Sequence, residues 1–125
     1  MITEILKKFV AQSYEGDLKT AHYPKELSDL NMKTSFGQGV PARVSWIAFT
    51  SPEMAVSNGY YPVYLLYKNL NVLILAYGIS ETIEHSETWP NEIYDNQSTI
   101  KNFLNGKAPR YGDSLVYKAY KVNIS

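Results

Sequence analysis

The sequence predicts an α+β fold, with one curved, mixed or antiparallel β-sheet flanked by helices. Three observations predict it. Apolar residues recur at helical spacing near the start of the chain. Runs rich in Val, Ile, Tyr and Phe, punctuated by Gly and Asn, fill the middle. A short capped helix and one more β-rich run close it. The 125 residues suffice for one compact domain and not for two.

Ile2, Ile5, Leu6, Phe9 and Val10 form one apolar stripe on a helix over about 2–15. Thr3 is its candidate cap and Gly16 its stop. The stretch from Tyr23 to Leu30 reads as a loop or short helical turn after Pro24. The sheet and its loops then occupy about 31–122. Met32 to Phe36 is a short strand that reaches a turn at Gly37-Gln38-Gly39, and Arg43 to Phe49 is a second. Tyr61 to Lys68 places Tyr61, Val63, Leu65 and Tyr67 on one face, because side chains alternate along a strand. Asn69 and Asn71 turn the chain, Val72 to Tyr77 returns as a hairpin partner, and Gly78 closes it. Glu81 to Asp95, with Trp89-Pro90, reads as an excursion without regular structure. Ser98 caps a short helix carrying Ile100, Phe103 and Leu104, which Gly106 stops. Lys107 to Asp113 is a loop, and Leu115 to Val122 is the last strand.

Composition narrows the function. There is no cysteine, which excludes disulfides and thiolate metal sites. No basic segment followed by an apolar one opens the chain, and the longest apolar run, Val72 to Tyr77, is too short to span a bilayer. These features predict a cytoplasmic protein without a membrane partner. The formal net charge is zero, which argues against coating nucleic acid by bulk attraction. Charge is nevertheless unevenly spread. Five acids and no Lys or Arg lie between Glu81 and Asp95. Beyond Asn96, Lys101, Lys107, Arg110, Lys118 and Lys121 face Asp113 alone. A basic face and a scatter of solvated charges fit this equally. Eleven tyrosines suit a surface that grips a ligand, since each joins a flat apolar ring to a polar tip.

Catalytic motifs are missing. No phosphate-cradling glycine loop followed by Lys-Ser/Thr occurs, and no Gly-x-Ser-x-Gly elbow. The two histidines, His22 and His85, have no metal-ligand spacing. His85 among Glu81, Glu84 and Glu87 imitates a metal site but reads better as a solvated acidic loop. No cofactor is expected, and a binding module fits better than an enzyme.

Ordered blocks carry a resemblance. They are Tyr23-Pro24, Lys33-Thr34-Ser35-Phe36-Gly37-Gln38-Gly39, Trp46-Ile47-Ala48-Phe49 and Ser57-Asn58-Gly59-Tyr60-Tyr61-Pro62-Val63. Leu75-Ala76-Tyr77-Gly78-Ile79-Ser80-Glu81-Thr82 and Arg110-Tyr111-Gly112 follow. This set resembles the N-terminal DNA-recognition domains of the McrB subunits of modification-dependent restriction endonucleases. The resemblance implies binding of duplex DNA carrying 5-methylcytosine or a related modified cytosine, with the base flipped into a pocket. In full-length subunits it further implies a GTP-hydrolysing AAA+ motor oligomer and a partner nuclease subunit.

The resemblance makes Trp46, Tyr61, Leu65 and Tyr111 the pocket candidates. Tyr61 and Leu65 are four apart on a strand and so share a face, which supports the pairing independently. Without the resemblance, Trp46, Tyr61 and Leu65 read as sheet core, whereas Tyr111 lies in a basic, glycine-bearing loop. Gly37, Gln38 and Gly39 would form the loop that fills the gap left by the base. The family carries an aromatic side chain at the tip, so Gln38 is a departure, and an ordinary glycine turn explains the loop equally well. The departure motivates an alternative: the same fold reading another modified base or a short unmodified sequence. Lys33, Arg43, Lys107 and Arg110 are candidate phosphate contacts, with Lys19 and Lys25 weaker ones. Asn58-Gly59 would shape the turn into the Tyr61 strand.

Overall fold

A computed structural model describes residues 2–51, 60–79 and 89–123. Helix α1 (Ile2–Glu15) is followed by strands β1 (Glu26–Leu27), β2 (Leu30–Ser35), β3 (Val44–Thr50), β4 (Tyr60–Tyr67) and β5 (Val72–Ile79). Two short helices, α2 (Asn91–Asn96) and α3 (Ile100–Phe103), precede β6 (Leu115–Lys121). The six strands form one sheet in sequence order, every neighbour pair antiparallel. The α+β reading therefore holds, in its antiparallel form.

Register separates the side chains into two apolar layers. Trp46 pairs with Leu65 and Leu65 with Ile74, so these three share a face. Val44, Ala48, Tyr61, Val63, Leu65, Tyr67, Ile74 and Ala76 bury that face beneath Ile100 and Leu104 of the α3 region. The alternate residues Ile47, Phe49, Leu66 and Leu73 point the other way and meet Phe9 of α1, with Tyr23, Met32 and Phe36. The α1 stripe is the one its spacing predicts.

Gln12 fixes the chain after α1. Its Nε2 donates to the carbonyls of Asp17 at 3.0 Å and Lys19 at 2.7 Å. Its Oε1 accepts from the Tyr23 hydroxyl at 2.9 Å. One buried amide thus satisfies two loop carbonyls and a core tyrosine, which covers the polar groups that burial would otherwise strand. Gly16 adopts φ +80° and donates its N–H to the Gln12 carbonyl, the left-handed ending that favours glycine.

Several sequence expectations need correction. Thr3 lies inside α1, whose first described residue is Ile2, and so does not cap it. The stretch read as a loop or helical turn contains β1, paired with β2 across a two-residue Ser28-Asp29 connection with Ser28 left-handed at φ 55°. A tight hairpin needs such a residue, and Ser-Asp is a weak signal for it. Gly78 does not close β5 but pairs with Tyr61 inside it. In the acidic excursion, Asn91–Asn96 is helical, while 80–88 lie outside the described residues. Thr99 caps α3, its side chain accepting from the Asn102 N–H at 3.2 Å, and Ser98 does not. α3 ends at Phe103, before Gly106.

The Tyr23 hydroxyl has its pKa pushed up to about 12, by burial first and then by Asp17 and Glu15. The folded chain therefore holds this proton more tightly than the unfolded chain, where tyrosine titrates near 10. The stabilisation is fully present below pH ~10 and is lost as pH rises from about 10 to about 12. Denaturant unfolding across this window should show falling stability, and Tyr23→Phe should flatten the fall. An unchanged slope in the variant would assign the alkaline loss to other groups.

A candidate base pocket

The pocket face has unequal cover. α3 has four residues, and among the described residues the chain from Leu104 to Ser114 adds Leu104, Ala108 and Tyr111 to the cover. That loop is tied down by its carbonyls. Arg110 O accepts from the Tyr67 hydroxyl at 2.8 Å, Gly112 O from Lys101 N at 2.9 Å, and Ser114 O from Ile100 N at 2.8 Å. The Ser114 hydroxyl accepts from the Ile79 N–H at 2.9 Å, which links the loop's end to β5.

Tyr111 sits between these ties at φ 62°. An aromatic residue in the left-handed region is strained by roughly 1–2 kcal/mol. Such strain persists only where surrounding bonds over-determine the backbone, as they do here. The conformation turns the ring against the sheet, where Tyr111 packs half-buried on the apolar layer. The Arg110 guanidinium lies over the ring, 4.7 Å from its centroid.

Beneath this loop lies one cavity lined by Trp46, Tyr61, Val63, Leu65, Gly78, Ile79, Tyr111 and Ser114. All four pocket candidates from the sequence line it. Trp46 comes from β3, Tyr61 and Leu65 from one face of β4, and Tyr111 from the tethered loop. The cavity leaves about 10 Å³ for the centre of a water molecule, room for one. Leu65 is 1% exposed and Tyr61 8%. In this state the site is closed.

Sequence reasoning missed Val63, Gly78, Ile79 and Ser114. Gly78 has a physical reason to be glycine. A Cβ there would lie 2.6 Å from the Tyr61 carbonyl oxygen and 2.8 Å from Val63 Cγ1. A glycine inside an otherwise β-rich run signals such close approach, and that signal was available in Leu-Ala-Tyr-Gly-Ile. Ser114 carries no comparable mark in the sequence.

The Gly37-Gln38-Gly39 loop follows β2, whose last residue, Ser35, pairs with Trp46. Both glycines are left-handed, Gly37 at φ 119° and Gly39 at φ 77°, and Gln38 is exposed. A Cβ on Gly37 would lie 2.2 Å from the Val40 carbonyl oxygen, so the loop folds back on itself there. Lys33, Arg43, Lys107 and Arg110 are all exposed. Lys33 pairs with Ala48 and belongs to the pocket face. Val44 pairs with Tyr67, which holds Arg110, so Arg43 and Arg110 leave the same end of the sheet. Lys19 and Lys25 are exposed near the chain that follows α1. Asn58-Gly59, His85 and its neighbouring glutamates lie outside the described residues.

Among the described residues, no three His, Asp or Glu side chains group as a metal site, and no helix is long and apolar enough to cross a membrane. A wider apolar groove of about 890 Å³ runs between α1 and β6 on the opposite face and includes Leu6, Val10, Tyr64 and Tyr120. It contains none of the sequence-marked site residues.

Tyr67 carries the loop's tether from the core. Tyr67→Phe keeps the ring and leaves the Arg110 carbonyl without that donor. Stability should fall by about 1 kcal/mol. Limited trypsin digestion should cut faster after Lys107 and Arg110. Digestion at the wild-type rate would show that the remaining ties hold the loop without Tyr67.

Comparisons with known proteins give the family. Residues 3–120 match the family model described as MrcB-like, N-terminal domain. The chain is also 36% identical over 123 residues to the type IV methyl-directed restriction enzyme EcoKMcrB subunit of Escherichia coli (strain K12). That match covers 94% of this chain and 27% of the relative, so the chain spans about a quarter of the relative's length. With nearly its whole length matched, the chain belongs to the MrcB-like N-terminal domain family.

Proposed function

We propose that this chain is the DNA-recognition domain of a McrBC-type, modification-dependent restriction system, and that it reads 5-methylcytosine or a related modified cytosine by flipping it out of the duplex. The observation that carries this reading is the convergence of Trp46, Tyr61, Leu65 and Tyr111 on one cavity. The name of the relative, a methyl-directed restriction subunit, supports the same reading.

The chemistry follows from the walls. A flipped base loses its stacking at a cost of a few kcal/mol, and aromatic walls return about 1–3 kcal/mol each. Leu65 supplies an apolar contact for a C5 methyl, worth roughly 1 kcal/mol. The Tyr111 ring, with Arg110 on it, swings outward to admit the base, because the closed cavity has room for no more than a water molecule. Lys33, Arg43, Lys107 and Arg110 hold phosphates and set the register of the domain on the duplex. Gly37, Gln38 and Gly39 let the backbone approach the vacated position. The chain acts as a binding module without a cofactor, in the cytoplasm. Its partners are duplex DNA and, in a full-length subunit, a GTP-hydrolysing AAA+ motor oligomer and a nuclease subunit.

Titration of duplexes that differ in one 5-methyl group tests the reading, and the methylated duplex should bind several-fold tighter. Tyr111→Ala should weaken that binding about tenfold or more, from the loss of one stacking wall, while the protein still folds. Equal affinity for the two duplexes would sink methyl recognition. A parallel screen of 5-hydroxymethylcytosine, N4-methylcytosine, N6-methyladenine and unmodified sites would then identify what the same fold reads instead. An unfolded Tyr111→Ala protein would make Tyr111 a core residue.

A further inference from the structure

Among the residues that line the cavity, Ser114 has the one side chain that is neither aromatic nor aliphatic. It is 1% exposed, so its hydroxyl depends on the protein for hydrogen-bond partners. Its backbone is fixed on both sides. The Ser114 N–H donates to the Tyr111 carbonyl at 3.2 Å, and the Ser114 carbonyl accepts from Ile100 N at 2.8 Å. The side-chain oxygen is fixed as well, since it accepts from the Ile79 N–H at 2.9 Å. The proton on that oxygen is served less well. Its acceptor, the Ile79 carbonyl, lies 3.5 Å away, beyond the range of about 2.5–3.0 Å for O–H···O bonds. The cavity wall therefore carries a placed oxygen whose proton a better acceptor would take.

A pocket that reads a methyl group needs such a donor. Thymine carries the same C5 methyl as 5-methylcytosine, so an apolar contact at Leu65 does not separate the two. They differ on the Watson–Crick edge, where cytosine has a bare acceptor at N3 and thymine has an N–H. A donor held against N3 rewards cytosine. With thymine it faces a second donor, and a buried polar group left without its partner is costly.

We propose that the Ser114 hydroxyl donates to N3 of the flipped base, so that the pocket reads cytosine as well as its methyl group. The inference rests on the base-flipping reading above and adds to it a polar contact on the base. On binding, the O–H turns from the Ile79 carbonyl to N3. The oxygen keeps its bond from the Ile79 N–H, so the contact forms without displacement of the Ser114 backbone.

The experiment uses the full chain and two duplexes, in which guanine faces either 5-methylcytosine or its 3-deaza analogue with C–H in place of N3. The analogue makes one fewer hydrogen bond to guanine and leaves the duplex at lower cost. A pocket blind to N3 would bind it as well or better. The wild type should instead bind the analogue about five- to tenfold more weakly, the scale of one hydrogen bond. Ser114→Ala should abolish that penalty and bind the analogue at least as well as 5-methylcytosine. Ser114→Cys, with a weaker donor of similar size, should show a smaller penalty than the wild type, and it carries the test if the alanine variant does not fold. The proposal is overturned if the wild type binds the analogue as tightly as 5-methylcytosine, or if the Ser114 variants keep the wild-type penalty. Failure of the underlying reading is separately visible, because the wild type would then show no preference for 5-methylcytosine over cytosine opposite guanine.

Discussion

The sheet must be covered on both faces, and the described residues provide one long helix to do it. β3, β4 and β5 bury Val44, Leu65 and Ile74 on one side and Ile47, Leu66 and Leu73 on the other. Strands apolar on both faces are usual in parallel sheets, where crossover helices supply two layers. An antiparallel meander has no crossovers, so its second layer must come from elsewhere. α1, with 14 residues and a length of about 21 Å, closes one face. Among the described residues, the other receives the four residues of α3 and an irregular loop. That shortage of regular cover sets the form of the rest of the molecule.

An irregular segment laid on an apolar layer must find partners for its own carbonyls. Tyr67 and the first N–H groups of α3 provide them. The consequence is a loop held at several points with one residue, Tyr111, forced left-handed between them. A longer helix would seal this face completely. The tethered loop leaves a seam, and the cavity with Trp46, Tyr61 and Leu65 lies in that seam. Gly78 keeps it from being filled, since any side chain there would run into Tyr61 and Val63. The site is thus the place where regular structure runs short.

This also explains what could be read from the sequence. Alternation in Tyr61-Val63-Leu65-Tyr67 and helical spacing in Ile2 to Val10 report burial directly, so α1 and β2 to β6 were legible. β1 was not, because a two-residue strand has no periodicity and its turn rests on Ser28 in an unfavoured backbone region. α2 was hidden by its exposed, acidic composition, since none of its residues is buried. At the site, side chains that differ from their surroundings were legible: an aromatic in a basic loop, two residues on one strand face. The Ser114 side chain acts through hydrogen bonds to the Ile79 backbone, 35 residues away. Nothing local marks such a residue.

A closed pocket has a consequence for selectivity. On the proposed reading, one methyl group contributes only about 1 kcal/mol, or five- to tenfold. The pocket must also open, and apparent affinity falls by the fraction of molecules in which it is open. That penalty applies equally to methylated and unmodified cytosine, so it lowers affinity without adding discrimination. Discrimination beyond the methyl contact must therefore arise where the two duplexes differ before the base enters: in the cost of unstacking and in how the gap is held.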